Sequence, residues 1–158
     1  RRSSDLPLEK LEKAGYSIVF IPMQHPDDVK AAASIGARGN GIYILHDDYS
    51  IDELMSLIGN MDVLIGMRLH ALIFASIMHV PFLGISYDPK IDNFLALIHK
   101  KPVCSVSHMD GEKLYNNTCN LLTDPDESET WDRVDELRKQ ALLNVEILKK
   151  LVNQKEEN

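Results

Sequence analysis

Arg68 and His70 stand two residues apart in MDVLIGMRLHALIFASIM (residues 61–78), a stretch that is otherwise mostly apolar. A guanidinium stays charged at any working pH and offers a planar fork of donors that fits a carboxylate or a phosphate. An imidazole can hold or pass a proton near neutrality. Burying either group without a partner is expensive, so a polar group should meet them. In mid-helix, two residues this far apart point about 200° away from each other and cannot share a ligand. A turn removes that obstacle. Gly66 permits a tight bend after the run DVLIG, and the free N–H groups of a helix opening just beyond would join the same site. The implied chemistry is capture of a small phosphorylated acid beside a proton donor. Arg-x-His alone also describes a structural arginine and a core histidine, and the strand-turn-helix setting favours the anion site.

The elements that must position this pair are legible in the apolar pattern. Leu6 to Ala14 reads as a helix stopped by Gly15, and YSIVFIPM (16–23) as a buried strand. Pro26, Asp27 and Asp28 open a helix, with proline in its first turn and acids at its positive end. GIYILH (41–46) is a strand, and Ser50-Ile51-Asp52-Glu53 has the spacing of a capping box ahead of the next helix. Strand DVLIG, helix ALIFASIM, strand PFLGIS, helix IDNFLALI and strand PVCSV continue the alternation. Short strands that are apolar on both faces predict a parallel sheet covered by helices, an α/β fold of Rossmann-like type. A helix follows Glu112, and a long one spans about 130–153. Its Val134, Leu137, Ala141, Val145, Leu148 and Val152 form a stripe that packs on this domain, on another domain or on a second chain by self-association.

In an open parallel sheet, ligands collect beyond the carboxyl ends of the strands. Gln24-His25, His46-Asp47-Asp48, Gly66 to His70, and Ser86-Tyr87-Asp88-Pro89-Lys90 all fall there. His25 is a second candidate for chemistry, whereas His46 reads as part of a solvated turn. His79, His99 and His108 read as structural. The 158 residues fit a single domain, and the formal net charge of −7 excludes a general nucleic-acid binder. Cys104 and Cys119 lack metal-ligand spacing, so no metal site is expected and reduced, cytoplasmic thiols fit best. No apolar run reaches the length of a transmembrane segment. Metalloprotease, serine hydrolase, P-loop and dinucleotide motifs are missing.

MDVLIGMRLHALIFA, GISYDPK and FIPMQHPDD together resemble the polysaccharide pyruvyl transferase family, above all its bacterial cell-surface branch. The resemblance implies an enzyme built of two Rossmann-like halves in the manner of GT-B glycosyltransferases. It moves pyruvate from phosphoenolpyruvate, without a cofactor, onto two hydroxyls of a sugar as a cyclic ketal. In the cell-surface branch the acceptor is a glycan or lipid-linked saccharide of the secondary cell wall, typically at N-acetylmannosamine. That product anchors S-layer-homology proteins, and the reaction takes place in the cytoplasm or at the inner face of the membrane. Such enzymes are more than twice this length, so the chain is expected to be a C-terminal half, inactive without its N-terminal half. With strand order 3-2-1-4-5-6, a first strand would sit between the strands at 16–23 and 62–66.

Carried onto this sequence, the family's Arg-x-His falls on Arg68 and His70, and its Gln-His-Pro turn on Gln24, His25 and Pro26. The implied roles give Arg68 the carboxylate or phosphate, His70 the acid–base step, and His25 a second contact or relay. Gly66, Ser86, Tyr87 and Lys90 complete the crevice rim. Two rivals stand beside this reading: a GT-B glycosyltransferase or nucleotide-sugar epimerase domain, and a non-catalytic Rossmann-like interaction module.

Overall fold

The structure, a computed structural model, describes residues 5–24, 27–36 and 41–156. In chain order its elements are α1 (Asp5–Lys13), β1 (Ile18–Phe20), α2 (Asp27–Gly36), β2 (Ile42–Ile44), α3 (Ile51–Gly59) and β3 (Leu64–Gly66). There follow α4 (Leu69–Ile77), β4 (Phe82–Ser86), α5 (Pro89–Leu97), β5 (Cys104–Ser105), α6 (Gly111–Thr123) and α7 (Ser128–Glu156). Helix α1 stops at the expected place, with Gly15 at φ 91°, a left-handed conformation that favours glycine. The capping box also forms: Ser50 Oγ accepts from the Glu53 amide and the Glu53 carboxylate accepts from the Ser50 amide.

All the strand pairs are parallel, as the strands' apolar character predicts. Among the described residues they form two sheets rather than one, β1–β2 and β3–β4–β5. The break falls between β1 and β3, where the order 3-2-1-4-5-6 calls for a further strand. The strands are also shorter than the apolar runs that contain them. Of YSIVFIPM only Ile18–Phe20 pairs, because a ladder extends only as far as its partner strand runs beside it.

The three-stranded sheet is the packed centre of the molecule. Phe82 on one face lies with Leu72, Ala75, Ile91, Leu95 and Ile98 under α4 and α5, and Ile58, Val80 and Val134 close the same cluster. On the other face Ile85, Val103 and Leu114 gather with Leu83 and Ile65 beneath α6. Two glycines opposite each other in the ladder, Gly66 and Gly84, let the helices lie close. A Cβ on Gly66 would stand 2.9 Å from Leu72 Cδ2, and one on Gly84 would stand 2.7 Å from Leu95 Cδ1. Gly66 was expected to serve a bend. Its backbone is not left-handed, and close helix packing is what requires it.

Helices α4 and α5 end alike, each on a histidine in left-handed conformation, His79 at φ 52° and His99 at φ 60°. Both histidines reach α7. His79 Nε2 lies 3.2 Å from Asp135 and its ring stacks on Trp131, while His99 Nδ1 lies 2.9 Å from Glu129. Lys100 pairs with Glu127 just ahead of α7, and burial pushes its ammonium down to about 8. These contacts hold only the start of α7. The stripe expected to run along it divides: Val134 is buried and Leu137 half-buried, whereas Val145, Leu148 and Val152 are exposed.

Candidate functional site

Residues at the carboxyl ends of β3 and β4 share one end of the sheet, because the two strands run parallel. After β3, Met67 leads to Arg68, the N-cap of α4, in extended conformation at φ −92° and ψ 129°. That conformation sends its side chain toward the first turn of α2. There Arg68 Nη2 donates to Asp28 Oδ1 at 2.6 Å and Nε donates to Oδ2 at 3.3 Å, a forked pair with both side chains mostly shielded from solvent. Asp28 Oδ2 also accepts from the Met23 and Gln24 amides at 3.1 and 3.0 Å. Burial alone would raise the Asp28 carboxyl. The hydrogen bond and charge of Arg68, with the two amides, outweigh it and hold the pKa below the usual value. Arg68 is raised in turn, first by its hydrogen bond to Asp28, with the Tyr87 phenol adding to the effect.

The forked pair uses only the Nε and Nη2 edge of the guanidinium. The Nη1 edge takes no part in it, so Arg68 can hold Asp28 and still present donors to a second anion. Beside it lies the N-terminus of α4, where the N-cap residue Arg68 makes no side-chain cap hydrogen bond and no acid occupies the first turn. Among the described residues, those amides and the positive end of the helix dipole have no anionic partner within the helix's own first turn. His70 is in that first turn and exposed. Its ring lies 6.4 Å from Phe74, and it makes no hydrogen bond among the described residues. The expected pair therefore divides its work: Arg68 is fixed by Asp28, while the His70 imidazole stays open to solvent and ligand.

Residues after β4 supply a rim. Tyr87 is partly exposed, and the Lys90 ammonium sits 5.6 Å from the centre of its ring and 3.8 Å from Asp88. Asp88 caps α5 by accepting from the Lys90 amide at 2.9 Å. Ser86 is buried and its hydroxyl donates to Asp92 at 2.8 Å, so this hydroxyl is already engaged. Gln24 is exposed, with its backbone amide on Asp28. Gly66 is buried behind the turn. His25 and Pro26 lie outside the described residues. Asp28 is the residue that sequence reasoning missed: it was read only as an acid suited to a helix start. The signal was the arginine itself, since a guanidinium among apolar residues requires a carboxylate.

The model of the family described as polysaccharide pyruvyl transferase matches residues 2–89, more than half of the chain. That range takes in Asp28, Arg68, His70 and Tyr87 and stops one residue short of Lys90. No curated protein sequence matches the chain.

Proposed function

The chain belongs to the polysaccharide pyruvyl transferase family, and from that premise we propose that it binds phosphoenolpyruvate at the start of α4 for transfer of pyruvate to a polysaccharide sugar. The observation that carries this reading is the guanidinium of Arg68, held by Asp28 through Nε and Nη2 at a helix start where Arg68 makes no side-chain cap hydrogen bond. An anion that carries a carboxylate and a phosphate on one carbon suits such a place, because fixed donors and a helix dipole both favour negative charge.

The reaction requires a proton on the methylene carbon of the enol, which leaves cationic character at C2. A sugar hydroxyl then attacks C2 and releases its proton. Phosphate departs with the C2–O bond electrons, and a second hydroxyl attacks C2 and loses its proton to close the ketal. Arg68 binds the carboxylate or phosphate and offsets the charge that gathers as phosphate leaves. His70, exposed in the first turn of α4, takes the acid–base role in this reading, delivering or accepting the protons. Tyr87 and Lys90 line the rim, and His25 is a further contact for phosphate. The acceptor is a glycan or lipid-linked saccharide, in this reading N-acetylmannosamine of a secondary cell-wall polymer, with its remaining contacts supplied by another half of the enzyme.

Calorimetric titration of phosphoenolpyruvate into the chain tests the assignment. The expected result is saturable binding that disappears in Arg68→Ala while circular dichroism shows the fold intact. Binding of a UDP-sugar without phosphoenolpyruvate would replace this reading with a glycosyltransferase or epimerase domain. Binding of neither would leave an interaction module.

A further inference from the structure

Beyond Leu137, α7 leaves the body of the protein: every residue from Arg138 to Lys150 is exposed, as are Val152 and Asn153. The sixteen residues 138–153 extend for about 24 Å at the rise of an α-helix. Along that length Ala141, Val145, Leu148 and Val152 recur at steps of four, three and four, so they share one face. Leu142 borders the face on one side. Val145, Leu148 and Val152 are 46%, 61% and 57% exposed, values at which an isolated apolar side chain is ordinary but an aligned set is not.

Charge separates the two ends of the same helix. Its packed start carries Glu129, Asp132, Asp135 and Glu136 against Arg133 alone. The projecting segment carries Arg138, Lys139, Lys149 and Lys150 against Glu146, a net of +3. The chain as a whole stands at −7, so everything outside that segment carries −10. The far cations of this segment, Lys149 and Lys150, stand about 17 Å along the helix from Arg138, roughly two Debye lengths at physiological salt. Arg138 and Lys149, eleven apart, lie on one flank of the apolar face, where long cationic side chains can reach outward as the face beds down.

We propose that residues 138–153 of α7 dock on an anionic lipid surface, lying in the interface plane with the Val145–Leu148–Val152 face in the headgroup boundary. Charge favours a lipid surface over a second copy on this face. A second copy would set two segments of net +3 side by side at helix-packing distance, whereas an anionic leaflet attracts each cation and accepts the apolar face at once. The proposal stands whether or not the start of α4 binds phosphoenolpyruvate, and the experiment that follows reads no substrate.

The test is sedimentation of the full chain with vesicles of phosphatidylglycerol and phosphatidylcholine in equal parts, compared with phosphatidylcholine alone. Binding is expected only to the anionic vesicles and should weaken steeply with added salt. Arg138→Ala/Lys149→Ala should lower the partition coefficient roughly thirtyfold, as about 1 kcal/mol per cation near such a surface dictates. Arg138→Lys/Lys149→Arg should keep it. Leu148→Ser/Val152→Ser should lower it roughly tenfold with circular dichroism unchanged, since those side chains pack on nothing in the body. Three results would overturn the proposal: no vesicle binding, equal binding to neutral vesicles, or full retention in Arg138→Ala/Lys149→Ala. A dimer by light scattering that becomes monomeric in Leu148→Ser/Val152→Ser, without vesicle binding, would assign the face to a second copy instead.

Discussion

Helices α4 and α5 solve the same packing problem. Each follows a strand of one sheet, each lies close to that strand over a glycine, and each ends on a left-handed histidine that contacts α7. Their N-termini differ. Helix α5 begins with an Asp88 cap, a proline in its first turn and Asp92 nearby, so its amides and dipole are satisfied from within. Helix α4 begins with an arginine where a cap should be, and the carboxylate nearest at hand is spent on that arginine rather than on the helix. Stability alone would favour the α5 arrangement at both places. What the contrast teaches is that the start of α5 is capped by a carboxylate of its own segment, whereas the N-cap residue of α4 gives up that role to pair with a carboxylate of α2.

The contrast breaks most completely at Arg68. In the active enzyme, Arg68→Ala should reduce turnover of phosphoenolpyruvate roughly 10³-fold, the scale of losing a fixed donor at a departing anion. His70→Ala should cost about 10²-fold in kcat and leave Tm in place, because the imidazole is exposed and its removal opens no cavity. Loss of kcat without a change in phosphoenolpyruvate affinity is the signature to look for.

Asp28→Asn separates positioning from binding. Without a carboxylate to hold the Nε and Nη2 edge, Arg68 wanders, and turnover should fall roughly tenfold with most of the loss in kcat. Stability should drop by about 1 kcal/mol, a modest figure because both partners keep some solvent contact. The pH dependence has a definite sign. The Asp28 pKa is lower folded than unfolded, so its contribution is full above the ordinary carboxylate range. It disappears as pH falls through the depressed folded value, and acid unfolding of Asp28→Asn should lack that component. At the small end, Asp88→Ala should cost about 1 kcal/mol through loss of the α5 cap and leave phosphoenolpyruvate affinity unchanged. An equal effect of Asp88→Ala on affinity would erase the distinction between the two helix starts.

The alternation of elements could be read from the chain because both periods were strong: strands apolar on both faces and helices with caps such as Ser50 and Glu53. The family blocks quoted from the sequence fall for the most part inside the matched range. Strand lengths were not legible, since an apolar run does not reveal how far its neighbour extends beside it. The Asp28–Arg68 pair was not legible either, because 40 residues separate its members and their meeting depends on how the two sheets pack. Gly66 shows a third kind of gap. A glycine before a turn suggests backbone freedom, yet only the position of Leu72 shows that the missing side chain is what counts.

The Arg68–Asp28 fork joins the segment that carries β1–β2 to the three-stranded sheet β3–β4–β5. The large cluster of Phe82, Leu72 and Leu95 belongs to the three-stranded unit, while the residues of β1 are only half-buried. In native-state hydrogen exchange the amides of β1 and β2 should therefore open before those of β4, by sub-global fluctuations that leave the larger unit folded. Arg68 sits on one unit and Asp28 on the other, so each such opening parts the fork. A ligand that bridges the two sides should slow exchange in β1 and β2 without changing it in β4, and occupancy of the site becomes visible in strands that the ligand never touches.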